Sequence, residues 1–338
     1  MNLSLMADPQ VTIVVVPRER FSFTQESLES IYEHTHIPFK LVYVDGNSPA
    51  KIKRYLETQA AAKNFQLVRT NYYLSPNRAR NIGWSYVQTK YLVFIDNDVV
   101  VSPGWLNTLV TCAEETQATV VGPLMCQDQP LHETIHFAGG ECHIVTDIHN
   151  QLHLREKMYK QGHQVTDVRP HLKRTETELA EFHCMLVRTE IFAQIGGLDE
   201  GMLCTKEHLD FCMTVRQAGG SVYFEPDCLV TYVPGPPLEF SDLQFYMLRW
   251  SDAWMLASLA HLRTKWGLAE DGYFKTKYKK LGSRRRRTIV RPLSYRFKKL
   301  GKKLGVKRKE IEKFLLAIDK LLNSYLTKSY ASRHLNQN

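Results

Sequence analysis

Over the first 125 positions, short β-branched apolar runs alternate with amphipathic stretches. VTIVVV at 11–16 has no helical period and runs into Pro17, which predicts a buried, parallel strand. In TQESLESIYEHT, 24–35, Leu28, Ile31 and Tyr32 stand at helical spacing behind Thr24 as N-cap; Ser27 rather than Glu leaves the capping box incomplete. KLVYVD at 40–45 predicts a second strand, 49–63 a helix, FQLVRT at 65–70 a third strand, and 76–89 a helix opened by Pro76. YLVFID at 91–96 reads as a fourth strand, 103–117 as a helix and 118–124 as a further strand. This alternation predicts an α/β fold, with a mostly parallel central sheet flanked by helices.

Beyond that point the pattern loosens. Residues 127–180 are polar and irregular, with a hairpin expected around HFAGGECHIV and a loop beside it. A strand and a helix closed by Gly196-Gly197 follow over 181–200, then a helix over 206–218. SVYFEPDCLVTYV, 221–233, reads as a strand pair or one bent strand, and 240–266 as a long aromatic-rich helix. Ile311 to Tyr325 has the pattern of an amphipathic helix.

Composition is that of a globular chain, with 43% hydrophobic and 23% charged residues. No run reaches the roughly 18–20 apolar residues of a membrane span. The start, MNLSLMADPQ, lacks the basic region of a signal peptide, so a cytoplasmic protein is expected. Seven cysteines without a CxxC spacing predict reduced, buried thiols. The net charge of +9 is uneven: of 44 Lys and Arg, 17 lie in 275–309, where there is no acid, leaving 27 against 35 Asp and Glu elsewhere. A mildly acidic body therefore carries a basic tail.

Polar clusters sit where the strands run out: PRER after the first, DGNS after the second and DND after the fourth. Open parallel sheets bind ligands at those carboxyl ends. Asp96 and Asp98 are one residue apart and would repel unless a cation or hydrogen bonds compensate them. A hard divalent cation, Mn2+ or Mg2+, takes a few carboxylates from protein and the rest from phosphates and water, and it would neutralise a diphosphate leaving group. A turn capped by Asp and Asn is the plainer alternative.

VTIVVVP, LVYVDGNSP, SPNRARNIGW and YLVFIDNDVVVSPGWL, with LVRTEIFAQIGGLDE and EHLDFCMTVRQAGGSVYFEPD further on, resemble family 2 glycosyltransferases of the GT-A fold over roughly residues 10–235. The resemblance implies a lead (1–10), a nucleotide-sugar half (11–125), an acceptor and catalytic half (126–240), a closing helix (241–270) and a basic helical extension (271–338). It implies transfer of a sugar from a UDP-, GDP- or dTDP-sugar to a saccharide or lipid-linked acceptor, metal-dependent and inverting. Asp96 and Asp98 hold the metal in this reading, with Asp96 and Asn97 beside the nucleotide sugar. Asp45 accepts a hydrogen bond from the base, with Asn47 beside it in DGNS; an Asx turn needs no ligand. Pro17, Arg18 and Glu19 stand where the family cradles the nucleoside, although the charged RER departs from its usual small or polar residues. Arg18 either reaches a phosphate or is solvated. Arg78, Arg80 and Asn81 lie beside the donor; Arg78 and Arg80 cannot both face one way on a helix, and Arg80 is suited to a phosphate or to Asp96.

Two departures touch the chemistry. The family's acidic base motif reads Glu207-His208-Leu209-Asp210 here, so His208 stands where an Asp usually takes the acceptor proton. Glu207, His208 or Asp210 carries that role. No histidine follows the last strand in CLVTYVPGPP, where Tyr232 stands near the place of a metal ligand. His132, His136, His143, His149 and His153 lack the spacing of a metal site and read as loop residues. Arg249-Trp250 without the preceding Gln motif, and without membrane spans, indicates a non-processive enzyme. The rivals are a non-catalytic nucleotide-sugar-binding protein and a nucleotidyltransferase; the latter lacks its Gly-rich loop in PRERFSF. For the tail, 275–325, a solvated segment and an anionic membrane surface on the inner face are the main readings; no base-reading motif supports nucleic acid.

Overall fold

The computed structural model describes residues 8–234, 238–303 and 305–334, so most of the 1–10 lead and the GPP of CLVTYVPGPP lie outside it. Within these residues the chain forms two compact units, one of 8–200 with 206–234, the other of 201–205 with the described part of 238–334.

The first unit runs β1 (Val11–Val16), α1 (Thr24–His34), β2 (Phe39–Gly46), α2 (Ala50–Lys63), β3 (Gln66–Thr70), α3 (Pro76–Trp84), β4 (Tyr91–Asp96), β5 (Val99–Val101), α4 (Trp105–Thr116) and β6 (Val120–Gln127). It continues with β7 (Thr134–Phe137), β8 (Gly140–Thr146), β9 (Leu152–Met158), α5 (Val165–Val168), β10 (Thr175–Thr177), β11 (Cys184–Arg188), α6 (Phe192–Ile195), α7 (Glu207–Gln217) and β12 (Val222–Tyr232). The main sheet has the order β10-β12-β6-β11-β4-β1-β2-β3. Strands β4, β1, β2 and β3 are parallel, as are β6 and β12, while β11 runs antiparallel between β4 and β6. Strands β1 and β4 are buried along their whole length, on both faces of the sheet, which explains why their apolar runs are unbroken rather than alternating.

Several elements differ from the pattern-based expectation. The helix opened by Pro76 ends at Trp84 rather than 89. Thr89 is instead tied to the sheet, its hydroxyl bonding Thr12 Oγ1 at 2.8 Å and the Tyr91 carbonyl at 2.7 Å. Residues 127–180 are not irregular: β7 pairs with β6, and the hairpin is β8–β9, joined through 147–151. Gly139-Gly140 in HFAGGECHIV is no hairpin turn. A Cβ on Gly140 would stand 2.4 Å from the Lys157 carbonyl, so this glycine serves a close backbone approach. β12 is one bent strand whose register shifts between Glu225 and Leu229, around Pro226, which cannot donate to the ladder.

The second unit is helical: α8 (Leu243–Arg249), α9 (Asp252–Trp266), α10 (Gly272–Lys279), α11 (Ser283–Arg285), α12 (Arg291–Arg296), α13 (Lys298–Lys303) and α14 (Arg308–His334). The long helix expected over 240–266 is broken at Ser251, whose hydroxyl caps α9 by accepting from the Trp254 N–H at 3.2 Å. Arg249 is buried with its guanidinium 4.5 Å from the Trp250 ring centroid. The predicted 311–325 helix extends to Arg308–His334. All seven cysteines are buried and unpaired. Among the described residues no helix is long and apolar enough to cross a membrane.

Candidate active site

The register of the sheet assembles the site. Val16 of β1 pairs with Asp96 of β4, so both strands end at one level. On the other side Cys184 pairs with Ile95, which sets His183 opposite Asp96; the Asp96 N–H donates to the His183 carbonyl at 3.1 Å. Tyr232, at the end of β12, pairs with Val99, and its ring stacks on His183 with centroids 4.0 Å apart.

Asp96 is fully buried and gathers three cationic or imidazole groups. Arg80 Nη2 lies 3.0 Å from Oδ1, Arg18 Nη1 3.4 Å from Oδ2, and His183 Nδ1 3.1 Å from Oδ2. Arg80 is itself buried, with Nη1 on Asn77 Oδ1 at 3.3 Å and its guanidinium 4.1 Å from the Phe182 centroid. Of the two arginines on α3, Arg80 thus reaches Asp96, and Arg78 lies instead against Tyr72.

Asp98 stands in contrast. It is fully buried, and neither carboxylate oxygen receives a hydrogen bond. Burial, then the neighbouring Glu19 and Asp96 charges, push its carboxyl well above the usual range. Asp96, Asp98 and His183 each bring one ligand atom within 4.8 Å of the others. His183 Nδ1 also makes no hydrogen bond. Orphaned oxygens and an orphaned nitrogen converging in a buried place fit a divalent cation, because an uncompensated buried carboxylate is costly. No histidine follows the last strand in CLVTYVPGPP, but His183, immediately before the antiparallel strand β11, stands beside the Asp pair.

Glu181 lies behind His183. Its Oε2 is 3.3 Å from His183 Nε2 and 3.2 Å from His136 Nε2, and its Oε1 is 3.8 Å from His208 Nε2. Burial raises its carboxyl, but His136 and then His208 and His183 outweigh that and hold it well below the usual range. Burial also presses His183 and His208 below the ordinary imidazole value. His136 is no loop residue. The β6–β7 register shifts between Met125 and Cys126, and this bulge presents His136 to Glu181 and to Gln127 Oε1 at 2.8 Å. Thus His208, expected near the chemistry, is brought toward the Asp pair through Glu181 and His183. Glu207 and Asp210 are buried on the same α7 helix.

The remaining predicted residues lie mostly in the supporting frame. Asp45 closes the turn after β2, accepting from the Ser48 N–H at 2.8 Å and Ser48 Oγ at 2.9 Å, and it pairs with Arg69. This is the Asx-type turn. Asn47 has a left-handed φ of 66° in that turn. Asn97 is buried; its Oδ1 accepts from the Arg18 N–H at 3.0 Å, and its amide donates to the Arg20 carbonyl at 2.8 Å and Thr24 Oγ1 at 3.1 Å. It fixes the PRER loop that carries Pro17, Arg18 and the buried Glu19. Asn81 clamps the turn after α6, donating to the Leu198 carbonyl and accepting from the Leu198 N–H, both at 2.8 Å. A Cβ on Gly197 would stand 3.1 Å from Asn81 Oδ1, a tight approach to this clamp.

Sequence reasoning did not single out His183, Glu181 or Arg69, and it read His136 as a loop residue. His183 stood in plain view as a polar residue opening the buried run FHCMLV. Its significance depends on antiparallel register, which no local pattern encodes.

A mostly parallel sheet with the antiparallel strand β11 set between β4 and β6, and an Asp-x-Asp turn at its carboxyl edge, defines a GT-A fold. The chain overlays 82% of its length on 56% of a crystal structure described as GalNAc-T7 with UDP, GalNAc and Mn2+, with a TM-score of 0.52 at 16% identity. Residues 12–196 match the model of glycosyl transferase family 2, and the chain belongs to that family. Its relatives include a pre-mycofactocin glycosyltransferase of Mycobacterium tuberculosis, 23% identical over 66% of this chain and 42% of that protein. Human polypeptide N-acetylgalactosaminyltransferase 18 is 22% identical over 78% of this chain and 45% of its own length. The chain thus spans less than half the length of these relatives.

Proposed function

We propose that the protein transfers one sugar from a nucleotide diphosphate sugar to a saccharide or lipid-linked acceptor, with inversion at the sugar carbon. The observation that carries this reading is the buried, unpartnered carboxylate of Asp98 beside Asp96 and His183. Asp98, Asp96 and His183 Nδ1 would hold Mn2+ or Mg2+, which when bound neutralises charge on the diphosphate leaving group. Glu181 Oε2, 3.3 Å from His183 Nε2, is placed to hold the ring proton on that nitrogen and leave Nδ1 as the lone pair, the arrangement by which a carboxylate orients a metal-ligating imidazole.

The chain's own groups have separate tasks. Arg80 and Arg18 fix Asp96. Asp45, although engaged by Ser48 and Arg69, keeps acceptor capacity for a base N–H, since an ionised carboxylate offers about four lone-pair sites. His208, pressed below its ordinary value, is neutral near pH 7 and can take the proton of an acceptor hydroxyl. Glu207, beside it on α7, is the second candidate for that role.

UDP and Mn2+ are the first pair to test, because GalNAc-T7, which has the same fold, is described with both. Isothermal titration of UDP and GDP, with and without Mn2+, should show nucleotide binding that requires the cation. Nucleotide binding indifferent to the cation, or none, would sink this reading. A donor screen read by mass spectrometry then names the sugar.

A further inference from the structure

The last helix of the second unit is built the wrong way round for a helix that packs a core. Facing inward, α14 presents Glu312, Asp319 and Asn323, all buried. Each has a partner within the unit. Glu312 accepts from Arg286 at 2.9 Å and Arg308 at 2.8 Å. Asp319 accepts from the buried Arg285 at 3.1 Å, and Asn323 donates to the Met247 carbonyl at 2.8 Å. The opposite face carries Phe314, Ile318, Leu321 and Tyr325, spaced as one helical stripe. Phe314 is 66% exposed, Leu321 73% and Tyr325 67%. Tyr295 and Phe297, on the neighbouring segment, are exposed as well. The stripe is not solvated merely for want of a partner: the polar face has taken the inward position.

The charge around it selects the occupant. Three of the seventeen basic residues in 275–309, Arg285, Arg286 and Arg308, are spent on the inner ion pairs. Most of the others are exposed, including Arg296, Lys298, Lys299, Lys302 and Lys303, and Lys313, Lys320 and Lys328 flank the stripe on α14. A second copy seated on this face would bring the same cationic surround against itself, which opposes an isologous contact. An apolar stripe within a cationic field is the pattern of a helix that lies in the headgroup region of an anionic bilayer.

We propose that the exposed face of α14, with the basic residues of 275–309, docks on an anionic lipid surface. The inference is independent of the chemistry assigned to the first unit. Its test uses the full-length protein and vesicles of phosphatidylglycerol or of phosphatidylcholine alone. Co-sedimentation should occur with phosphatidylglycerol, weaken as salt rises, and fall at least tenfold in Phe314→Glu/Leu321→Glu. Helical content and the urea-unfolding midpoint of that variant, measured alongside, report whether it is folded. A folded variant that co-sediments like the parent would overturn the role of the stripe. Absence of binding by the parent to both vesicle types overturns the proposal, as does a dimer that the same substitutions dissolve while vesicles remain unbound.

Discussion

His183 and Asp96 face each other across the β4–β11 ladder, joined by a 3.1 Å backbone hydrogen bond and with His183 Nδ1 3.1 Å from Asp96 Oδ2. The imidazole therefore has a carboxylate at each nitrogen, Asp96 at Nδ1 and Glu181 at Nε2. A neutral ring carries one proton, so one nitrogen remains a lone pair. Glu181→Gln should weaken cation affinity in the presence of UDP by about 10–100-fold, and His183→Ala by more. Titration of Mn2+ at fixed UDP measures both; unchanged affinity in His183→Ala removes this histidine from the cation site.

Asp98→Asn should stabilise the cation-free protein while ending cation-dependent nucleotide binding. The folded-state carboxyl is raised above its ordinary 3.8, so the native state holds its proton longer than the unfolded chain does. Stability from this group is therefore lost as pH rises from about 4 toward the folded value, and it stays lost above. The amide carries no charge to desolvate and escapes that loss, so the variant's advantage should be larger at pH 8 than at pH 5. Urea unfolding without cation at pH 5 and pH 8 reads the effect. A less stable variant at pH 8 contradicts it.

How much of this was legible beforehand varies with the kind of contact. The strands of the parallel half were readable because burial on both faces leaves unbroken β-branched runs such as VTIVVV and YLVFID. Asp96 and Asp98 were readable because they end or closely follow such a run, whereas Arg80 was carried by the resemblance of SPNRARNIGW. His136 and Glu181 were not, since a β-bulge and an antiparallel strand bring them together from 45 positions apart. Ser251 hid its break of the long helix because aromatic residues continue the apolar pattern on both sides. The inner ion pairs of Arg285 and Arg286 were likewise concealed within a run whose charge alone suggested solvation.

Arg80→Met should destabilise the fold by about 3–5 kcal/mol, because it leaves the fully buried Asp96 with less cationic compensation. Arg80→Lys should recover only part of this, since an ammonium cannot reach both Asp96 and Asn77 in the geometry of the guanidinium fork. Chemical denaturation orders the three proteins. Equal stability of the lysine variant and the parent rules out the fork as the reason for arginine.

The proton-accepting step is separable from donor binding by its pH dependence. His208 has its imidazole pressed below the ordinary 6.5, first by burial, with the nearby Glu181 charge acting in the opposite direction. If His208 takes the acceptor proton, the acidic limb of kcat/KM lies below 6.5. Glu181→Gln removes an anion that favours the imidazolium, so this limb should move to still lower pH. It should also weaken the cation, but that loss is restored by saturating Mn2+, whereas the shifted limb is not. His208→Ala and Glu207→Gln should each keep cation-dependent UDP binding. The variant that loses turnover by about 100-fold or more identifies the base, general-base assistance being worth about 10²–10⁴. Parental rates in both variants would remove His208 and Glu207 from the proton transfer and leave Asp210 as the remaining α7 candidate.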